Sequence, residues 1–215
     1  MSYSDAYKRA INRVHGELPV YLLKIEHPAL SDSIRVARDS DDWPYGAEYQ
    51  WQPGQAVTAG TVRIPSTYAG FYYTAQGGGS TGASEPAWPA SIGGTVVDGG
   101  VTWACTGEQY KALAFQVTPP SQPENGRAKA NLAVDNVGRE ITAWLEVSNG
   151  GEGAQATLMQ ALRSAPGVIE YAVTMDLSEV IITPTQVTGA LGFEDLLNRP
   201  AVALTHRPDT TPGLF

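Results

Sequence analysis

Three histidines, a single cysteine and one acidic run are the residues that invite a chemical reading in this 215-residue chain. His15, His27 and His206 fall in no metal-ligand spacing, and His27, directly before Pro28, reads as a surface residue at a strand end. Asp39-Ser40-Asp41-Asp42 suggests calcium, but it lacks the glycine and the distal glutamate of a calcium loop, which favours a solvated turn. Ser164 and Ser178 have no Gly-x-Ser-x-Gly context and so no nucleophile elbow. Glu194 and Asp195 are neighbours on a helical turn and point in different directions, which suits capping and surface charge better than paired acid–base work. Gly77-Gly78-Gly79 precedes no Lys-Ser/Thr pair and is not a phosphate loop. Cys105 alone supplies neither a disulfide framework nor a cysteine-built zinc site. The expectation is a protein that is no enzyme and uses no metal or cofactor.

Aromatic residues offer the remaining chemistry. Between Trp51 and Thr106 the chain carries only three charged residues (Arg63, Glu85, Asp98) but 11 of its 23 glycines and seven aromatics. Exposed Trp and Tyr faces stack on sugar rings or pack into a protein partner at little entropic cost. Trp88, held between Pro86 and Pro89, is the first candidate for such a face, with Trp51, Tyr72 and Tyr73 beside it. A unit this small must also spend aromatics on its own core, and Trp103, inside an alternating strand, reads as core.

The elements that position these residues follow from periodicity. The composition changes at both ends of 51–106, which marks an inserted β module within an outer domain of 1–50 plus 107–215. The outer domain opens on a short helix, with Ser4 as cap, Asp5 in the first turn and an apolar stripe of Ala6, Ala10, Ile11 and Val14, ended by Gly16. Strands are expected at 20–28, 33–39, 111–120, 127–136, 156–163, 167–177, 179–191 and 201–206. Residues 138–149 read as a helix with Ile141, Trp144 and Leu145 on one side, and 192–197 as a helical turn. Inside the insert, 61–65 and 70–75 read as strands and 93–105 as a hairpin turning at Asp98-Gly99-Gly100. The fold class is mostly β, a sandwich or barrel with one or two flanking helices and a small inserted β domain.

Bulk composition narrows the partners. A formal net charge of −8 with no basic cluster argues against a sequence-specific nucleic-acid binder. No apolar run approaches the roughly 20 residues of a membrane-spanning helix, and the polar N-terminus has no signal-peptide pattern. These features lead to the expectation of a soluble protein made in the cytoplasm, without membrane insertion.

Three stretches carry a resemblance. YLLKIEHPALSDSIRVARDSDD (21–42), NLAVDNVGREITAWLE (131–146) and above all VTGALGFEDLLNRPAVALTHRPDTTPGLF (187–215) resemble a family of uncharacterised tail proteins of siphophages and prophages, encoded just after the tape-measure gene. The likeness covers nearly all of 17–50 and 110–215. It implies a structural component of the tail tip or baseplate, in the position of a distal tail protein, with a tail-tube-like fold of two packed sheets and a flanking helix. The implied partners are further copies of the chain in a ring, a hexamer by preference, together with tail tube, tape-measure and hub or baseplate proteins. The implied location is the virion, after synthesis in the host cytoplasm. The irregular arm ending in Leu214-Phe215 is expected to contribute to the ring contact.

The insert is similar to a second pattern, seen in phage structural proteins and in the small chitin- and cellulose-binding modules of bacterial glycosidases. The matching residues are Trp51-Gln52-Pro53-Gly54, Gly60, Gly70-Phe71-Tyr72-Tyr73, Ser84-Glu85-Pro86-Ala87-Trp88-Pro89 and the run from Asp98 to Trp103. This likeness implies a host cell-surface glycan as a further partner. Val57 stands where those modules usually carry a tyrosine, which removes one stacking platform.

Overall fold

The computed structural model describes residues 3–12, 16–118, 129–135 and 140–192. The chain begins with α1 (Asp5–Ile11), β1 (Val20–Glu26) and β2 (Ile34–Ala37). A run of short strands follows: β3 (Ala56–Val57), β4 (Val62–Arg63), β5 (Phe71–Ala75), β6 (Gly79–Ser80), β7 (Thr95–Asp98) and β8 (Val101–Glu108). Then come β9 (Lys111–Ala112), β10 (Phe115–Thr118), β11 (Ala130–Asp135), α2 (Glu140–Val147), β12 (Gln155–Leu162), β13 (Ala165–Ile182) and β14 (Gln186–Gly192).

The fold is mostly β. Eight strands form one open sheet in the order β10-β11-β14-β13-β12-β1-β2-β9, antiparallel throughout except for the β2–β9 edge. Strand alternation sorts its side chains onto two faces. Leu23 and Ile25 of β1, Val36 of β2, Ala156 of β12 and Leu132 and Val134 of β11 bury the first face under α2, which contributes Ile141 and Leu145. Val20 and Leu22 of β1, with Ala37, Met159 and Ala161, bury part of the second face under Trp43 and Tyr110. Among the described residues the sheet's two ends do not pair with each other, so these residues build an open sheet and not the barrel alternative.

Several local expectations hold. Ser4 caps α1, its hydroxyl accepting from Tyr7 N at 3.1 Å. Ala130, Leu132 and Val134 are the buried side of β11, and Ile141 and Leu145 the buried side of α2. Others need correction. The residue that anchors α1 is Tyr7, 3% exposed, which donates its hydroxyl to Gln160 at 2.7 Å, whereas Ile11 is 41% exposed. An aromatic ring spans the gap to the sheet that alanines cannot. The strands expected at 167–177 and 179–191 are redistributed: β13 runs unbroken to Ile182, absorbing a bulge between Ser178 and Ile181. The reversal comes at Thr183–Gln186, where Pro184 cannot continue a ladder and Thr183 Oγ1 bonds the Gln186 carbonyl and amide. The expectations for Val14, His15, 119–128, 193–206 and the arm at Leu214-Phe215 lie outside the described residues.

Candidate functional site

The strands of 51–106 make a second, separate unit. Four strands pair in the order β4-β5-β8-β7, and β3 and β6 form a two-stranded ribbon against them. Asp98-Gly99-Gly100 turns the hairpin as the sequence predicts, with Gly99 at φ +58° and its Cα packed where a Cβ would meet the Ser80 carbonyl oxygen at 2.7 Å. Gly79 lies so close to the Gly100 carbonyl that no side chain fits, which accounts for that part of the glycine run.

Asp98 holds the unit together. Its carboxylate is 3% exposed and accepts the indole N–H of Trp51 at 2.7 Å, that of Trp103 at 3.1 Å and the Gly82 amide at 2.7 Å. A buried carboxylate is tolerable only with several donors on it, and two tryptophans supply them here. Around this centre Tyr73, Ala75, Val101, Trp103 and Cys105 form the core, with Phe71, Trp88 and Val96 packed on it.

The four aromatics singled out as glycan platforms part company. Tyr73 is 0% exposed and Trp51 8%, so neither ring has a face for a sugar. Both belong to the core of a unit too small to build one from aliphatics. Trp88 is half-buried and turned inward: it packs on Tyr73 with ring centres 4.4 Å apart and edge-on to Trp103 at 5.9 Å. Its indole N–H donates to Glu85 at 2.7 Å, and Glu85 in turn accepts from the Ser66 amide and hydroxyl. Burial would raise the Glu85 carboxyl, but the bonds from Ser66 and Trp88 outweigh it and hold it below the ordinary value. The Tyr73 hydroxyl, pushed up by burial, donates to the Pro89 carbonyl at 2.8 Å and pins the loop that carries Trp88. Tyr72 is half-buried and lies apart from these three, over the backbone of Gly107 and edge-on to Tyr45 at 4.9 Å.

Composition gave no hint of how firmly the two units are joined. Trp43 and Tyr110 exchange both backbone hydrogen bonds, at 2.8 and 2.7 Å, and so tie the two legs of the insert together. Glu108, at the end of β8, reaches the large sheet: it accepts from Lys24 of β1 at 2.9 Å, faces Arg35 of β2 at 3.3 Å and accepts the Tyr110 hydroxyl at 3.1 Å. Arg35 also donates to the Gly70 carbonyl at 3.2 Å and lies over the Phe71 ring at 4.7 Å. Burial would raise the Glu108 carboxyl, yet Lys24 and Arg35 more than offset it and the group sits below its usual range. Lys24 moves the other way, raised by Glu108 and Glu26 against the opposing effect of burial. A partly buried carboxylate that faces two cations and accepts hydrogen bonds from Lys24 and Tyr110 is a brace between the units.

The other sequence candidates are structural where they are described. His27 accepts the Ala29 amide at Nδ1, which makes Nε2 the donor to the Glu152 carbonyl at 2.8 Å. Asp42 accepts the Ala112 amide at 2.7 Å, while Asp39 takes the Ser40 amide and pairs with Arg163. Ser164 bonds Glu17 and Ser178 the Ala190 carbonyl. Among the described residues no group of acids, histidines and cysteine could hold a metal ion, and no helix is long and apolar enough to cross a membrane.

Residues 95–206 match the model of a domain of unknown function, DUF1833. The chain belongs to this family. The DUF1833 segment begins at the first residue of β7, so it takes in the β7–β8 hairpin and its Asp98 as well as β9 to β14. The family boundary therefore falls earlier than the composition break at 106 and takes in Glu108, while its partners Lys24 and Arg35 lie outside the matched residues. No curated protein matches the chain.

Proposed function

We propose that this protein is a non-enzymatic structural component of a bacteriophage tail tip or baseplate, a distal-tail-type ring protein lying between tail tube and hub. What supports the reading is the pairing of one mostly-β sheet, with α2 packed on one face, with the three sequence blocks that resemble siphophage tail proteins. The large sheet would form the ring and the smaller unit, braced on Glu108, would sit at a fixed angle to it. Copies of the chain, a hexamer by preference, and the tail tube, tape-measure and hub proteins are the partners this reading assigns. Its place is the virion, after synthesis in the host cytoplasm. Electron microscopy of the purified full chain should show closed rings, and antibody against it should label the tip of intact tails. Unlabelled tails together with a chain that forms no ring would sink the reading.

A second reading, adsorption to a host-surface glycan through the insert, rests on Trp88 and Tyr72, the two of the four candidate rings that keep partial exposure. Calorimetry of the full chain with cell-wall oligosaccharides should then show heat that Trp88→Ala abolishes. Identical traces for wild type and variant would remove it.

A further inference from the structure

A sheet edge presents unpaired N–H and C=O groups, and proteins that stay apart blunt their edges with lysine, proline, a bulge or a covering segment. Among the described residues the two larger sheets have four edges, and three of them are blunted. The chain of β4 runs on to Ile64, which bridges Gln50. The β9 edge is two residues long and carries Lys111, and β10 is followed directly by Pro119-Pro120. A glycine bulge at Gly93-Gly94, opposite Cys105, ends the β7 edge, but among the described residues none of these devices lies within Thr95-Val96-Val97-Asp98, and its one charged residue, Asp98, is buried in the unit's own centre.

The hydrogen-bond pattern says which groups are free. Bonded and non-bonded pairs alternate along an antiparallel ladder, and the pair closing a two-residue turn is bonded. Asp98 faces Val101 across the Gly99-Gly100 turn and Val96 faces Trp103, so Thr95 and Val97 direct their amides and carbonyls away from β8. No described residue outside the sheet bonds them. The Val97 side chain is 70% exposed, and Thr95 and Thr102 beside it are exposed too.

Charge decides what can dock there. Every charged side chain of 51–106 is engaged internally: Arg63 by Gln55 and the Val62 carbonyl, Glu85 by Ser66 and Trp88, Asp98 by two indoles. Copies of a chain with net charge −8 repel one another, and this edge lets two of them meet without bringing like charges together. We propose that β7 pairs antiparallel with β7 of a second copy. Centred on Val96, the register sets Thr95 against the partner's Val97 and Val97 against the partner's Thr95, each pair exchanging both hydrogen bonds. The two four-stranded sheets become one, related by a two-fold axis.

This contact does not rest on the tail reading, because a ring formed by the large sheets would simply be joined to a second ring. In sedimentation equilibrium of the full chain, Val97→Lys should halve the mass of the largest wild-type species while leaving the circular dichroism unchanged. Cysteines test the register. Bonded antiparallel pairs have Cα atoms about 5.5 Å apart, within disulfide range. Thr95→Cys and Val97→Cys, mixed and oxidised, should therefore cross-link to each other, while either variant alone should not. Equal masses for wild type and Val97→Lys, or a mixture that cross-links no better than the single variants, would overturn the proposal. The mixture is also informative on its own should the lysine variant misfold.

Discussion

The two units of this molecule solve the burial problem in opposite ways. The large sheet spreads its core over many aliphatic side chains of modest size, with Leu23, Ile25, Leu132, Val134, Leu145 and Leu191 all nearly inaccessible. The smaller unit concentrates its core in a few rings that share one carboxylate, Asp98. A distributed core loses a little at each position, whereas a hub loses several interactions with one residue. The smaller unit should therefore be the easier to break from a single site.

The largest effect is expected at that hub. Asp98→Ala leaves the Trp51 and Trp103 indoles and the Gly82 amide without their acceptor, a loss of about 4 kcal/mol in urea unfolding. Hydrogen exchange should show protection vanishing in β5 and β8 while β1 and β12 keep theirs. Equal loss in both units would mean that they fold as one body and the contrast is false. Leu23→Ala, in the middle of the large sheet, should cost about 3 kcal/mol, mainly through the cavity it leaves.

Glu108→Gln sharpens the comparison by cutting the brace, with an expected loss of about 1–2 kcal/mol because the carboxylate is partly exposed. The pH dependence has a defined sign. The Glu108 carboxyl is held below its ordinary value in the folded chain, so its contribution is complete above the unfolded value of about 4.3 and drains away as pH falls through the folded one. Urea midpoints measured from pH 6 downward should fall more steeply for wild type than for Glu108→Gln. Parallel curves would show that the brace carries no charge-dependent stability. The smallest effect on stability is expected from Val97→Lys, under about 0.5 kcal/mol in urea unfolding at concentrations too low for copies to pair, since the side chain is exposed in the single chain.

The large sheet was readable because its strands alternate. The β11 pattern, with Leu132 and Val134 alternating with Asn131, Ala133 and Asp135, suits one buried face, and the spacing of Ile141, Trp144 and Leu145 suits a helix and not a strand. The β13–β14 boundary was misplaced because a bulge keeps the ladder running past Ser178, and bulges leave no periodic mark. In the smaller unit the hairpin was legible from Asp98-Gly99-Gly100, but the role of Asp98 was not. An acid directly before a turn glycine looks like turn chemistry until folding brings Trp51 to it. Trp88 shows the same limit: flanking prolines fix a loop, and only the tertiary position of Tyr73 decides which way the indole faces. Glu108, Lys24 and Arg35 are scattered in sequence, so no spacing could have joined them.

The reciprocal bridge between Trp43 and Tyr110 has a further consequence for how such a chain can be remodelled. Everything between those residues leaves and returns through one pair of adjacent backbones, so the excursion is interchangeable with others of quite different length. Loop closure penalises length only logarithmically, by about 0.6 kcal/mol per doubling. What resists exchange is electrostatic: excising the excursion strips Lys24 and Arg35 of Glu108 and leaves two cations on the sheet beneath. A scaffold carrying foreign cargo at this position would need neutral residues at 24 and 35, or an acid supplied by the cargo itself.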